Sequence, residues 1–197
     1  TMSMTAQAYG LVPLYDEAGQ TRAKKYTILN NAGAGYGTAI FKGSLVKVGT
    51  NGTIEIGDGT TPALGVFMGC EYTDSTGKPC VSPNWVASTA LLAGTEATAW
   101  VIDNQNTMFR IGVSANASGY VQAVVGQQCN VDNTGSGSAI TGQSSGSVAN
   151  AAIAAGILAQ LRIEGFYDGI YDATNNPFPQ LLVKLVEVQF APNAVGV

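Results

Sequence analysis

Apolar residues along this chain recur mostly with period two, in short runs separated by Gly, Asn, Asp, Pro and Ser, the pattern of β-strands joined by turns. The central run is Ala63 to Val86. There ALGVFMGCEY reads as a long strand, TDSTGKP as a polar turn and CVSPNWV as a returning strand. Alternation places Leu64, Val66, Met68, Cys70 and Tyr72 on one face of the first strand and Ala63, Gly65, Phe67, Gly69 and Glu71 on the other. One face is bulky and the other nearly bare. Glycines inside a strand mark a close pass of another backbone or a bend, so this stretch predicts a curved sheet.

The pattern continues on both sides. Val46 and Val48 share a face with Ile54 and Ile56 only if Val48 pairs with Ile54 and Val46 with Ile56. That register leaves a three-residue loop, Thr50-Asn51-Gly52, with Gly52 at the left-handed position, and sets Lys47 opposite Glu55. Upstream, Tyr26 to Leu29 reads as a short strand and NNAGAGYG as a turn, because its glycines have neither the G-x-G-x-x-G nor the P-loop spacing. Gly57 to Pro62 is another turn. Downstream, Ala97 to Ile102 and Thr107 to Val113 are expected to form a second hairpin around Asp103-Asn104-Gln105-Asn106. Ser118 as an N-cap, GYVQAVV and Gly126 predict one or two helical turns. From Asp132 to Gly156 the chain becomes a long Gly/Ser/Ala-rich loop, with room for a short strand at Ala139 to Thr141 and a helical turn at its Ala-rich end. Ala159 to Phe166 alternates cleanly. Leu181 to Phe190 alternates with a phase change that a β-bulge near Leu185 would absorb.

About nine or ten strands with hairpin connections and few helices make the expected fold all-β, an antiparallel barrel or sandwich with at most one or two short helices. Residues 1–25 lack a sustained period and read as an extended N-terminal arm ahead of a single β domain, 26–197. Within the arm, Tyr9, Leu11, Val12 and Leu14 fit an extended strand laid along a neighbour's surface. They fit a short edge strand of their own domain equally well.

Composition changes what such a domain is expected to do. Only 11% of residues are charged, against about 25% in ordinary soluble proteins, while 46% are hydrophobic. No window approaches the roughly 20 apolar residues of a membrane helix, and the strands lack the aromatic girdles of a membrane barrel. Burial against other protein, copies of itself included, is the expected cover. A net charge of −4 argues against nucleic acid, and the one basic cluster, Arg22, Lys24 and Lys25, is read as solvating the arm. The first ten residues, TMSMTAQAYG, have no basic stretch followed by an apolar one, so no export signal is read there.

The chain has no histidine, which removes the usual general base and the commonest zinc ligand. Cys70, Cys80 and Cys129 match no metal spacing and read as buried thiols. A cross-strand disulfide between Cys70 and Cys80 stays open if their turn is symmetric about Ser75. Paired carboxylates could be sought among Asp58, Glu71, Asp103, Glu164, Asp168 and Asp172, but most sit beside Gly or Asn in turns, where Asp serves the backbone. No catalytic residue, metal or cofactor is assigned.

Taken in order, TAIFKGSLVKV, NGTIEIGDGTTPALGVFMGCEYTDSTGKPCVSPNW, TAWVIDNQNTMFRIGV, AITGQSS, AQLRIEGF and LLVKLVEVQF resemble the small capsid decoration, or cement, proteins of tailed bacteriophages, particularly short-tailed ones. The resemblance rests on a Leu-Gly-Val-Phe-x-Gly-Cys-x-Tyr-Thr segment at Leu64 to Thr73, on Trp85 after the turn, and on Val-Ile-Asp at Val101 to Asp103. It covers residues 37 to 190. It implies a non-enzymatic β subunit, usually a homotrimer, that binds the outside of a mature head and clamps neighbouring major capsid proteins. Such a protein is made in the host bacterial cytoplasm, ends in the virion, and contacts neither nucleic acid nor membrane. Arms of this family contact neighbours, so Tyr9, Leu11, Val12, Leu14 and Tyr15 are the expected capsid or subunit contacts. Removing residues 1–25 is then expected to spare the fold and abolish head binding. Two alternatives stand beside this: another head or tail-fibre structural protein, and a carbohydrate-binding β domain with Tyr167, Tyr171 and Phe178 as a sugar platform.

Overall fold

A computed structural model describes residues 8–30, 34–59, 62–114, 121–132, 135–148, 153–154, 159–167 and 178–190. Among these the alternating pattern builds twelve short strands: β1 (Val12–Asp16), β2 (Lys24–Thr27), β3 (Leu45–Val48), β4 (Ile54–Ile56), β5 (Gly65–Thr73), β6 (Pro79–Ser82), β7 (Thr98–Ile102), β8 (Thr107–Ile111), β9 (Gln128–Cys129), β10 (Ile153–Ala154), β11 (Leu161–Phe166) and β12 (Leu181–Leu185). They pair as two antiparallel sheets. Sheet A runs β1-β8-β12-β11-β9-β10 and sheet B runs β2-β7-β5-β3-β4, with β6 also on β5. The sheets pack together as a sandwich, and neither closes into a barrel. The helical turns expected after Ser118 reduce to one 3-10 turn, Gln122–Val124, which no side chain caps; Ser118 itself lies outside the described residues.

β5 is the structural axis, as its sequence suggested. One edge pairs with β7; on the other edge β3 takes its first residues and β6 its last. Both faces are covered. Val66 and Met68 join Leu45, Ile102, Phe109, Ile111, Ile163 and Val183 in the core between the sheets. Phe67, Cys70 and Tyr72 face a second cluster with Ile28, Ile40, Ile54, Trp85 and Val101, under the loops that cross the far side of sheet B. The single bulky face expected of β5 is therefore split between two cores. A register shift between Phe67 and Gly69 explains this, because one extra residue flips everything after it to the opposite side. Gly65 shows why one face had to be bare: a Cβ there would overlap the carbonyl oxygen of Ile102 on β7.

The β3–β4 hairpin has the expected register, Val46 opposite Ile56 and Val48 opposite Ile54, and Gly52 turns at φ +74°. Lys47 lies opposite Glu55 but pairs with Asp58, at 3.3 Å. Such an exposed pair is worth a few tenths of a kcal/mol, against about 2 kcal/mol for each buried Val or Ile, so burial sets the register.

Four expectations are corrected. The strands β7 and β8 do not form a hairpin; Asp103 to Asn106 carries the chain from sheet B across to sheet A, where β8 pairs with β1 and β12. The segment Ala139 to Thr141 is the tip of a turn closed by Gly142 N–H donating to the Ser138 carbonyl (2.8 Å), and Ile153–Ala154 is a strand on β9 where a helical turn was expected. β12 ends at Leu185 without a bulge. The bulge sits on its partner between Ile163 and Gly165, and Val188 crosses to bridge Ala63. Finally, the described part of the N-terminal segment is not an arm. Val12–Asp16 is the edge strand of sheet A, Leu11 is buried in the intersheet core, and Lys24 already belongs to β2. Removing residues 1–25 would take away β1 and part of β2, so it cannot spare the fold.

The two kinds of glycine are separable by mutation. Gly65→Ala forces a backbone clash and is expected to cost about 3 kcal/mol, whereas Gly52→Ala, with open space around it, meets only the left-handed backbone penalty of about 1 kcal/mol. Urea unfolding of the two variants measures the difference; equal losses would contradict the close approach.

Candidate interaction surface

The inner face of sheet A is fixed by Phe109, Ile111, Leu161, Ile163, Leu181 and Val183 in the core. Alternation then turns Arg110 on β8 and Arg162, Leu182 and Lys184 on their strands to the outer face. Cross-strand register brings Val12 and Leu182 directly beside Arg110 and sets Tyr15 opposite Met108. Two tyrosine rings complete the group. The Arg110 Cζ lies 5.5 Å from the centre of the Tyr9 ring and 4.8 Å from that of Tyr167, and Tyr9 Oη donates to Gln180 Oε1 at 3.0 Å. Among the described residues Arg110 Nε is buried without a hydrogen-bond partner. The other two cations of this face are engaged: Arg162 with Glu164 at 2.6 Å and Lys184 with Glu17 at 2.5 Å.

Three of the five expected contact residues, Tyr9, Val12 and Tyr15, thus meet on one surface, with Tyr15 51% exposed and Tyr167 43%. Leu11 does not belong there. It is 1% exposed, because it points into the sandwich. Leu14 is half-buried in the irregular stretch of β1 between Pro13 and Tyr15. The residue that sequence reasoning missed is Arg110. Its outward position was readable from the alternation Phe109, Arg110, Ile111, but the tyrosines beside it come from distant segments.

A polar cleft of about 550 Å³ opens where the β1–β2 connection, the β7–β8 crossover and the end of β12 meet, lined by Asp16, Arg22, Lys24, Tyr26, Asp103 to Asn106, Val188 and Phe190. Its carboxylates serve the fold. Asp16 accepts from Ala18 N–H (2.8 Å), Asn104 Nδ2 (2.6 Å) and Thr107 Oγ1 (2.9 Å). Asp103 accepts from Lys24 Nζ (2.8 Å) and Tyr26 Oη (2.7 Å). Burial, then the bond to Asp103, raises the Tyr26 phenol well above its ordinary range. The remaining carboxylates once considered for catalysis are also paired, Glu71 with Lys25 (2.6 Å), Asp58 with Lys47 and Glu164 with Arg162. Asp168, Asp172 and Tyr171 lie outside the described residues. Of the proposed sugar platform, Phe178 packs against the core and Tyr167 against Arg110, so the two rings present no open shared face. Among the described residues no group of three or more His, Cys, Asp or Glu could hold a metal ion, and no helix is long and apolar enough to cross a membrane.

All three cysteines are free. Cys70 lies opposite Ser82 and Cys80 opposite Tyr72, so the turn is centred one residue later than the disulfide needed. Burial pushes the Cys70 and Cys129 thiols up to about 12, from 9.0. Both ionise more readily once unfolded, so their contribution to stability is intact below about pH 9 and is lost as pH climbs toward 12. At pH 8 the folded protein is expected to react with Ellman's reagent at Cys80 alone, and its denaturation midpoint should fall above pH 9. Fast reaction of all three thiols would contradict the burial.

No family model, curated protein or solved structure matches this chain.

Proposed function

We propose that the chain is a decoration protein of a tailed-phage head, binding the outer surface of the mature capsid and tying neighbouring major capsid proteins together. The ordered motif resemblance points there, and one structural observation supports it: the outer face of sheet A sets Tyr9 and Val12 beside Arg110, with Tyr15 opposite Met108 on the same strand pair. The two outer faces differ. Sheet B is covered on its far side by its own second core, whereas no such cluster covers sheet A among the described residues. In a chain with few charges, that is the face suited to bury against another protein.

The mechanism is mass action. A protein that binds only the assembled shell stabilises it by about 2.7 kcal/mol per site at a hundredfold excess over Kd, and many sites multiply that modest figure. Self-association as a trimer would let one bound unit reach more than one capsid subunit. No catalysis, cofactor, nucleic acid or membrane is part of this reading. The carbohydrate-binding alternative has no specific observation in its favour, since Phe178 is taken up by the core.

Light scattering of the purified chain, followed by sedimentation with undecorated heads of its own phage, tests the proposal. A trimer that pellets with heads and raises their thermal rupture temperature is expected. A monomer that stays in the supernatant would refute it.

A further inference from the structure

We infer that Arg110 is the receptor for a single carboxylate, an Asp or Glu side chain or a chain terminus, presented by the major capsid protein; this rests on the decoration reading above. Among the described residues the guanidinium is held by two tyrosine rings. The Tyr9 and Tyr167 rings lie against it, and no carboxylate, carbonyl or amide accepts from its Nε. A cation held over aromatic rings by its charge leaves its N–H groups for a partner, and the planar fork fits a carboxylate through two parallel bonds. A buried N–H left unsatisfied is a standing cost, and native structures keep such groups where something uses them.

Charge on this face selects the anion. Arg110, Arg162 and Lys184 stand against Glu17 and Glu164, and the two acids are already bound to Arg162 and Lys184. Among the described residues one positive charge is left over, so a singly charged group balances the face. A doubly charged phosphate would leave one negative charge without a partner there, since Arg162 and Lys184 are already taken. The half-buried Val12 and Leu182 on either side of Arg110, and exposed Tyr15 on the same face, call for apolar contact around the anion. A polypeptide supplies both; a free small anion supplies only the charge.

The test uses the intact chain and sodium acetate as probe. At constant ionic strength, acetate is exchanged for chloride while the Arg110 Nε–H resonance is followed by NMR, and head binding is measured in parallel. A saturable shift with acetate, at least tenfold weaker head binding by Arg110→Gln, and a severalfold loss for Arg110→Lys, which keeps the charge but not the fork, would establish the receptor. No saturable shift in the wild type would overturn it. A saturable shift with head binding unchanged in both variants would also overturn it, while leaving the decoration reading intact. Wild-type protein that takes acetate but ignores heads would instead sink the decoration reading, and the capsid as partner with it.

Discussion

The fold depends on the close approach of β5 and β7. Residues of both strands enter both apolar clusters, and the carbonyl of Ile102 lies where a side chain at residue 65 would be. Only glycine permits that contact. It lets Val66 and Ile102 enter the intersheet core while Phe67, Val101 and Ala99 enter the second cluster, so sheet B is sandwiched between two apolar layers. The bulge before Gly69 then rotates Cys70 and Tyr72 toward Trp85, whose indole N–H donates to the Tyr36 carbonyl at 3.0 Å. The centre of sheet B is thus backed by apolar clusters on both faces, while its β2 and β6 edges stay exposed.

Sheet A has no such second apolar layer among the described residues. It is joined to sheet B by the crossover at Asp103 to Asn106, and Asp16 locks that crossover to the end of β1 through Asn104 and Thr107. Removing such a buried acceptor typically leaves donors unsatisfied at about 1–3 kcal/mol each, which makes the knot a strong constraint on where β1 lies. The same constraint aligns Val12 with Arg110. The polar cleft beside the knot lies at the join between the sheets.

What could be read from sequence was whatever local pattern and turn chemistry decided together. The β3–β4 hairpin was legible to the residue because two Val–Ile pairs and Gly52 admit one register. β7 and β8 were legible as strands but not as partners, since alternation fixes a face and says nothing about which edge it joins; hydrogen bonds from Asn104 and Thr107 to Asp16, 88 and 91 positions away, decide that. β1 was obscured by Pro13 and its register shift, which break the period of a five-residue strand. The candidate surface was half legible. Tyr9, Val12 and Tyr15 stood out as apolar residues in a segment without a core pattern, whereas the Arg110 cluster needs four segments brought together, and no local signal encodes it.

On the proposed reading, the chain keeps the sheet backed by its second core away from the partner and offers a half-covered sheet with, among the described residues, one spare positive charge. Electron cryomicroscopy of heads incubated with the chain tests that picture most directly. Density for the sandwich on the outer capsid surface, with Tyr15, Arg110 and Tyr167 turned toward the shell, is the predicted result. Bare heads, or a bound sandwich whose sheet A faces solvent, would contradict it.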